Sequence, residues 1–335
     1  MQHFIFKNNA LKDALKSDNY QLPIFRQGQF GSKNPKNHAT LAHCFLGGKQ
    51  NVYCSKDIQK DVLREFKLFV NSAANDGSNI VVSSEEFIFE SLDVKALTNI
   101  LEARKYKPHI VLNYRRFYSW IRSTYDSRNK LAAEKGESFP TFQSWLQRKI
   151  KPIQTKYTKA VYDRFKNIQE FADVTILNLH DNKKSLQEQF FCDHVNEAPQ
   201  SCSLAKNHNN GGTDDLLQSA DWKSLRAKLL LGEHHPIKLL SNGDDVRWKQ
   251  IEEKFMNARD LPRICLTNDL KNRLLEMSIE FEMALTPEEW YNSDEGLENL
   301  RADFEEKLNS RLCSIDVPAT LLSPGWQSFL TALDA

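Results

Sequence analysis

Residues 109–129 read HIVLNYRRFYSWIRSTYDSRN, and the fold turns on them. His109 to Tyr114 form a short apolar run just after Pro108, the mark of a strand buried on both faces. Arg115 and Arg116 end it at once. A segment with helical spacing follows, predicted to start at about Tyr118, with Tyr118, Trp120 and Ile121 as core side chains and Ser123 in an early turn. In open α/β sheets ligands bind beyond the carboxyl ends of the strands, where helix N-termini offer free N–H groups and a positive dipole end. Arg115 and Arg116 fall at such a place. A guanidinium donates two hydrogen bonds to one phosphate or sulfate, and a serine hydroxyl adds a neutral donor. Arg122 and Arg128 bring further positive charge, so the competing reading is a solvated basic helix face.

Outward from this stretch, strands and helices alternate. Residues 21–54, rich in Gly, Asn, Gln, Lys and Pro, read as irregular. A helix capped by Ser55 carries Ile58, Val62, Phe66, Phe69 and Val70 at helical spacing. After Asp-Gly, NIVVSSEEF (79–87) reads as a buried strand, and 91–105 as a helix. Residues 142–171 read as helical with a break at Pro152, and ADVTILNLHD (172–181) as a third buried strand. The order predicts an α/β fold, a parallel sheet flanked by helices. Residues 203–224 look like a loop around a Gly-Gly pivot, and the chain is almost purely helical after about 245. The expected organisation is a core over 1–202, a loop or insertion over 203–244, and a helical C-terminal region over 245–335 that packs on the core.

Composition sets limits. The 335 residues are 40% apolar and 27% charged, with a formal net charge of +1, which suits a soluble globular chain with no global field. Nucleic-acid binding through the basic stretch 104–130 is disfavoured, since charge is balanced and no recognised module is present. No window approaches the roughly 18–20 consecutive apolar residues of a membrane span. The start, MQHFIFKNN, is no signal peptide and reads as the middle of a helix. None of the six cysteines forms CxxC. Cys192 and Cys202 bracket a Pro-containing turn and could close a small disulfide loop; two reduced cysteines is the open alternative.

HIVLNYRRFYSWIRSTY resembles the 3′-phosphate-binding segment of sulfotransferases that use 3′-phosphoadenosine 5′-phosphosulfate (PAPS): a buried strand, an Arg at its end and a Ser eight residues later. The resemblance implies that Arg115 and Ser123, with Arg116 beside them, hold the nucleotide's 3′-phosphate. IVVSSEEF resembles the family segment whose SSE enters the acceptor site. That implies Glu85, with Glu86 second, as the base that takes the acceptor hydroxyl's proton. Burial at a strand end can raise a carboxylate into a useful range; an exposed, solvated Glu pair is the alternative. More loosely, the likeness runs through DVTILNLHD and FFCDHVNEAPQSC, over roughly residues 1–202.

The family likeness implies a P-loop-type sheet, PAPS as co-substrate, no metal, and a hydroxyl-bearing acceptor such as a glycan. Its setting would be the Golgi membrane or lumen if an anchor exists, and the cytoplasm otherwise. The family opens with a strand central in its sheet and a phosphosulfate-binding loop of Lys among Gly, Ser or Thr. Here FLGGKQN (45–51) has no hydroxyl after Lys49, and NGGTDD (209–215) has no lysine. The first residues resemble the helix that follows that loop. The expectation is therefore a sulfotransferase whose chain starts one strand and one loop late, or an inactive fragment. A non-catalytic interaction protein on the same scaffold is the alternative. His180, His194, His234 and His235 read as ordinary strand-end or surface histidines rather than metal ligands.

Overall fold

The computed structural model describes residues 8–23, 39–45, 54–83, 93–135, 137, 139–152, 172–180, 184–207, 215–230, 245–258, 260–291 and 294–334. The chain divides into two compact units, residues 1–114 with 159–210, and residues 115–158 with 211–335. The division differs from the expected boundaries at 202 and 245. The chain leaves the first unit at Arg115, returns to it, and leaves again after Asn210.

In the first unit the helix Asn9–Ser17 is capped by Asn8, whose side chain accepts the Leu11 N–H at 3.2 Å, and it buries Leu11, Ala14 and Leu15. It leads into β1 (Tyr20–Gln21). The helix Lys56–Asn75 starts at the Ser55 cap and buries Val62, Phe66, Val70 and Ala73, one face at helical spacing. Its end explains the Asp-Gly in the sequence. Gly77 adopts φ 65°, and the N–H groups of Ser78 and Gly77 return to the carbonyls of Ala73 and Ala74. This left-handed glycine cap satisfies the last carbonyls and turns the chain into β2 (Asn79–Ile80). β2 pairs in parallel with β1. After the helix Val94–Glu102, β3 (His109–Tyr114) pairs in parallel with β4 (Asp173–Asn178), from His109 opposite Asp173 to Tyr114 opposite Asn178.

The protein is thus mostly helical, with small sheets of parallel strands in this unit where the sequence suggested a single sheet. Among the described residues β2 and β3 are not hydrogen-bonded to one another, and each parallel sheet has two strands. β2, β3 and β4 nevertheless meet one core, where Ile80, Ile110 and Val174, with Val82, pack against the cluster that includes Val62 and Phe66. The Tyr106 hydroxyl also donates to the Ser78 carbonyl at 2.7 Å, tying the approach to β3 to the approach to β2. Burial on both faces does not hold for β3, because His109 and Asn113 are exposed. Of the strand read over 79–87, only Asn79 and Ile80 are paired, and residues 84–87 lie outside the described residues.

Past β4 the chain enters a helical turn, Leu186–Glu188, that widens into a π-helix, Gln189–His194. The buried Gln189 side chain closes the end of β4 like a neighbouring strand. It accepts the Asn178 N–H at 2.9 Å and donates to the Asn178 carbonyl at 2.8 Å. Cys192–Cys202 joins the π-helix to the helix Pro199–Lys206.

The second unit holds the helices Phe117–Glu134, Asp215–Leu230, Asp245–Asn257, Asn268–Leu285, Asp294–Ser310, Val317–Leu322 and Pro324–Asp334, with residues 142–152 also helical. Two of these facts correct the sequence reading. The stretch taken as a loop or insertion contains Asp215–Leu230, whose Trp222, Leu225 and Leu229 join Trp248, Ile251 and Phe255 in a core cluster. The region after 245 also contains a short antiparallel pair, β5 (Arg263–Ile264) with β6 (Ser314–Ile315). Cys265–Cys313 locks that pair at its end. Residues 153–171, read as the rest of a helix, lie outside the described residues.

Candidate anion-binding site

The helix Phe117–Glu134 begins directly after the two arginines, one residue earlier than the spacing suggested. Tyr118, Ile121, Arg122 and Tyr125 lie at one-face spacing and all four are buried. Trp120 is half-buried. Four cations that look alike in the sequence therefore have different surroundings.

Arg122 points inward and is 3% exposed. Its Nε donates to both carboxylate oxygens of Asp126, at 3.0 and 3.2 Å, and its Nη1 donates to the Cys313 carbonyl at 2.6 Å. The guanidinium lies 5.3 Å from the Tyr125 ring centre and 5.1 Å from that of Phe142, within cation–π range. Arg116 is committed as well. Its Nη1 pairs with Asp303 at 2.9 Å and its Nε approaches Glu282 at 4.0 Å. Asp303 also accepts from the Tyr118 hydroxyl and from Lys307. Arg116, expected to help hold a nucleotide, is thus part of an internal ion-pair network. Arg128 is exposed on the far part of the helix.

Arg115 and Ser123 differ. Among the described residues neither side chain makes a hydrogen bond or an ion pair. Ser123 is the seventh residue of the helix, about 9 Å along its axis from the first. Its neighbour Thr124 returns a hydrogen bond to the Trp120 carbonyl at 3.0 Å; Ser123 does not. Arg115 is exposed, and its pKa is still lowered, first by desolvation and then by the positive charge of Arg311, with Asp126 acting in the opposite sense. It remains a cation at neutral pH. The residue whose carbonyl opens the helix is Arg116, which has no side-chain acceptor for the first N–H groups. At this helix start the carboxylates of Asp303 and Glu282 serve Arg116 and Tyr118.

Beneath lies a buried carboxylate. Asp221 is 7% exposed, and its pKa is pushed up to about 6, first by burial and further by Asp126, against Arg122, the Ile315 N–H and Arg263. The native state then binds this proton more tightly than the unfolded chain, where an aspartate titrates near 3.9. Stability from this group therefore falls as pH rises from about 4 to 6. Asp221→Asn should raise the unfolding free energy at pH 7 by about 1–3 kcal/mol and flatten that slope. Urea unfolding at pH 4.5 and pH 7 measures both, and a variant less stable than the parent at pH 7 would contradict the assignment.

Glu85 and Glu86, the candidate bases, lie outside the described residues, as do His234 and His235. The His180 N–H bonds the Asn178 side chain at 2.9 Å. His194 faces His109 at 6.4 Å between ring centres, and its pKa is lowered by desolvation first. Among the described residues no helix is long and apolar enough to cross a membrane. Sequence reasoning missed Arg311, Asp221 and Asp303, none of which stands in a recognisable local pattern. Compared with known proteins, the chain matches no family model, no curated protein and no solved structure at a significant level.

Proposed function

We propose that Arg115 and Ser123 bind the 3′-phosphate of a PAPS-type nucleotide, and that the protein transfers a sulfuryl group from PAPS to an acceptor hydroxyl, with a glycan as the favoured acceptor. The observation that carries this is the sorting within one helix start. Arg116, Arg122 and Tyr118 are engaged internally, whereas Arg115 and Ser123, the two residues of the family motif, are not. The sheet pattern also supports it. The family likeness calls for a parallel sheet, and among the described residues the β1–β2 and β3–β4 pairs are both parallel. All six cysteines are joined, as Cys44–Cys54, Cys192–Cys202 and Cys265–Cys313, which favours an oxidising compartment such as the Golgi lumen.

In the proposed reaction the acceptor oxygen forms a bond to sulfur as the bond from sulfur to the 5′-phosphate oxygen breaks. The acceptor's proton passes to a base, for which Glu85 is the candidate and Glu86 the second. The products are a sulfate ester and adenosine 3′,5′-bisphosphate. No metal is needed, because cationic side chains can offset the developing charge.

Adenosine 3′,5′-bisphosphate at about 100 times its dissociation constant should stabilise the protein by about 3 kcal/mol, seen as a rise in melting temperature. Arg115→Ala should abolish the rise. Arg116→Ala should instead lower the melting temperature of the free protein by removing a partner of Asp303. A folded parent that shows no rise sinks the proposal. A second reading is a non-catalytic interaction protein on the same scaffold. It predicts no nucleotide binding and a stable protein partner on pull-down.

A further inference from the structure

In the first unit the fold brings two histidines together. The ring centre of His109, the first residue of β3, lies 6.4 Å from that of His194, the last residue of the π-helix, edge to face at 87°. His109 is exposed, and its Nε2 shares a 2.7 Å hydrogen bond with the Thr175 hydroxyl of β4, which orients the ring. His194 is half-buried. Among the described residues the charged groups that act on His194 are Asp193, Lys184 and His109. Asp193 and Lys184 pair with each other at 2.8 Å, and they act on His194 in opposite senses. Desolvation, the largest influence, and His109 both disfavour its charged form. Asp173, opposite His109 in register, is exposed. Among the described residues no group of three or more His, Cys, Asp or Glu is placed to hold a metal ion, so the pair is read as a proton site.

π-Helices are rare, occur mostly as single turns and are frequent at functional sites. This one is held at three places. Gln189 bonds both backbone groups of Asn178, Cys192 is bridged to Cys202, and His194 meets His109. Its last turn closes through the Val195 N–H, which donates to the Phe190 carbonyl, five residues back, at 2.9 Å. The Val195 side chain packs in a cluster with Leu11, Leu15 and Phe191. Movement is therefore confined to the turn between Cys192 and Val195.

We propose that the His109–His194 pair is a proton-operated latch on this last turn, closed while the pair carries at most one proton and open when it carries two. The inference is independent of the nucleotide reading. A neutral ring edge, or a single imidazolium, is attracted to the face of the other ring. Two imidazolium rings repel, and neither has a carboxylate to itself, because Asp193 is held by Lys184 and Asp173 is solvated. Such a pair titrates in two coupled steps. An isolated histidine titrates at about 6.5, so the second step falls below that value and the latch opens on acidification toward about pH 5. The folded chain then binds fewer protons than the unfolded one. The pair's contribution to stability is therefore present above about pH 6.5 and fades below it.

Amide hydrogen exchange of the full chain at pH 7.5 and pH 5, followed by NMR, tests this, with protection factors removing the intrinsic pH dependence of exchange. The Val195 amide should lose protection about tenfold or more at pH 5. The Gln189 amide, bonded to the Ser185 carbonyl at 2.9 Å, should stay within about twofold. His109→Phe keeps a ring against His194 but takes no proton. In it Val195 should stay protected at both pH values, and His194 should titrate at a higher pH than in the parent. If that variant leaves Val195 unprotected throughout, His109→Gln, which can keep the bond to Thr175, decides. Protection that does not change with pH then supports the latch; loss on acidification, or no protection at either pH, overturns it. A parent without the selective loss at Val195 overturns it as well, as does a His109→Phe variant that loses as much as the parent.

Discussion

Replacing Arg122 by Ala should lower the unfolding free energy of the second unit by about 3–5 kcal/mol. The side chain is 3% exposed and holds Asp126, the Cys313 carbonyl and two aromatic faces at once. Truncation opens a cavity beside Tyr125 and Phe142, and it removes the cation that most favours the ionised form of Asp221. Asp221 already titrates at about 6, so losing Arg122 raises it further and it takes up a proton near neutrality. The penalty should therefore grow with pH. At pH 5 Asp221 is largely protonated in the parent, and little of its charge remains to be stranded. At pH 8 it is ionised, and the variant must strand that charge or protonate it against the bulk pH.

Chemical denaturation at pH 5 and pH 8 separates the two parts. A loss below about 1 kcal/mol at pH 8 would show that the buried guanidinium holds nothing of consequence. In an Asp221→Asn background the loss at pH 8 should shrink, because one of the two stranded carboxylates is gone. The shortfall from additivity then measures the Arg122–Asp221 coupling.

The same arginine shows where sequence reading stops. Helices with several turns and a steady apolar face were legible, as in Lys56–Asn75 and Asn268–Leu285. So were β3 and β4, whose six residues each carry a visible apolar run. The pairs β1–β2 and β5–β6 have two residues per strand, too few for any period. Their positions depend on contacts made far along the chain. Asp215–Leu230 was hidden because Asn and Gly precede it and acids and serines interrupt its apolar face. At the candidate site Arg115, Arg116 and Arg122 are chemically the same in the sequence. Arg122 does share helical spacing with Tyr118 and Tyr125, a signal that it faces inward, but an arginine on an apolar stripe also snorkels outward in many proteins. What separates the three is Glu282, Asp303 and Cys313, more than 160 residues later. Cysteine pairing is similarly opaque. Spacing suggested Cys192–Cys202, while Cys44–Cys54 has the same separation of 10 and went unremarked, since connectivity does not follow from sequence.

Loss of Cys265–Cys313 should destabilise the second unit by about 4 kcal/mol, against about 3 kcal/mol for either ten-residue loop in the first, on the chain-entropy account of cross-links. The difference follows from its separation of 48 residues, which restricts the unfolded chain more. It should also be the first to open under a mild reductant. Cys265 is exposed, whereas Cys44 and Cys54 are both buried, and exchange needs a thiolate to reach a sulfur. Mass spectrometry of alkylated samples during stepwise reduction gives the order, and unfolding of Cys265→Ser/Cys313→Ser gives the energy. The effect should reach beyond the bridge. Cys313 supplies the carbonyl that Arg122 binds, so its backbone is held from one side by the disulfide and from the other by the guanidinium. With the bridge gone, that carbonyl moves more freely and Arg122 loses part of its grip. The Arg122→Ala loss should then be smaller than in the disulfide-bonded parent. Equal losses in the two backgrounds would mean that the bridge and the arginine hold the second unit independently, and that the short β5–β6 pair is enough to fix Cys313 by itself.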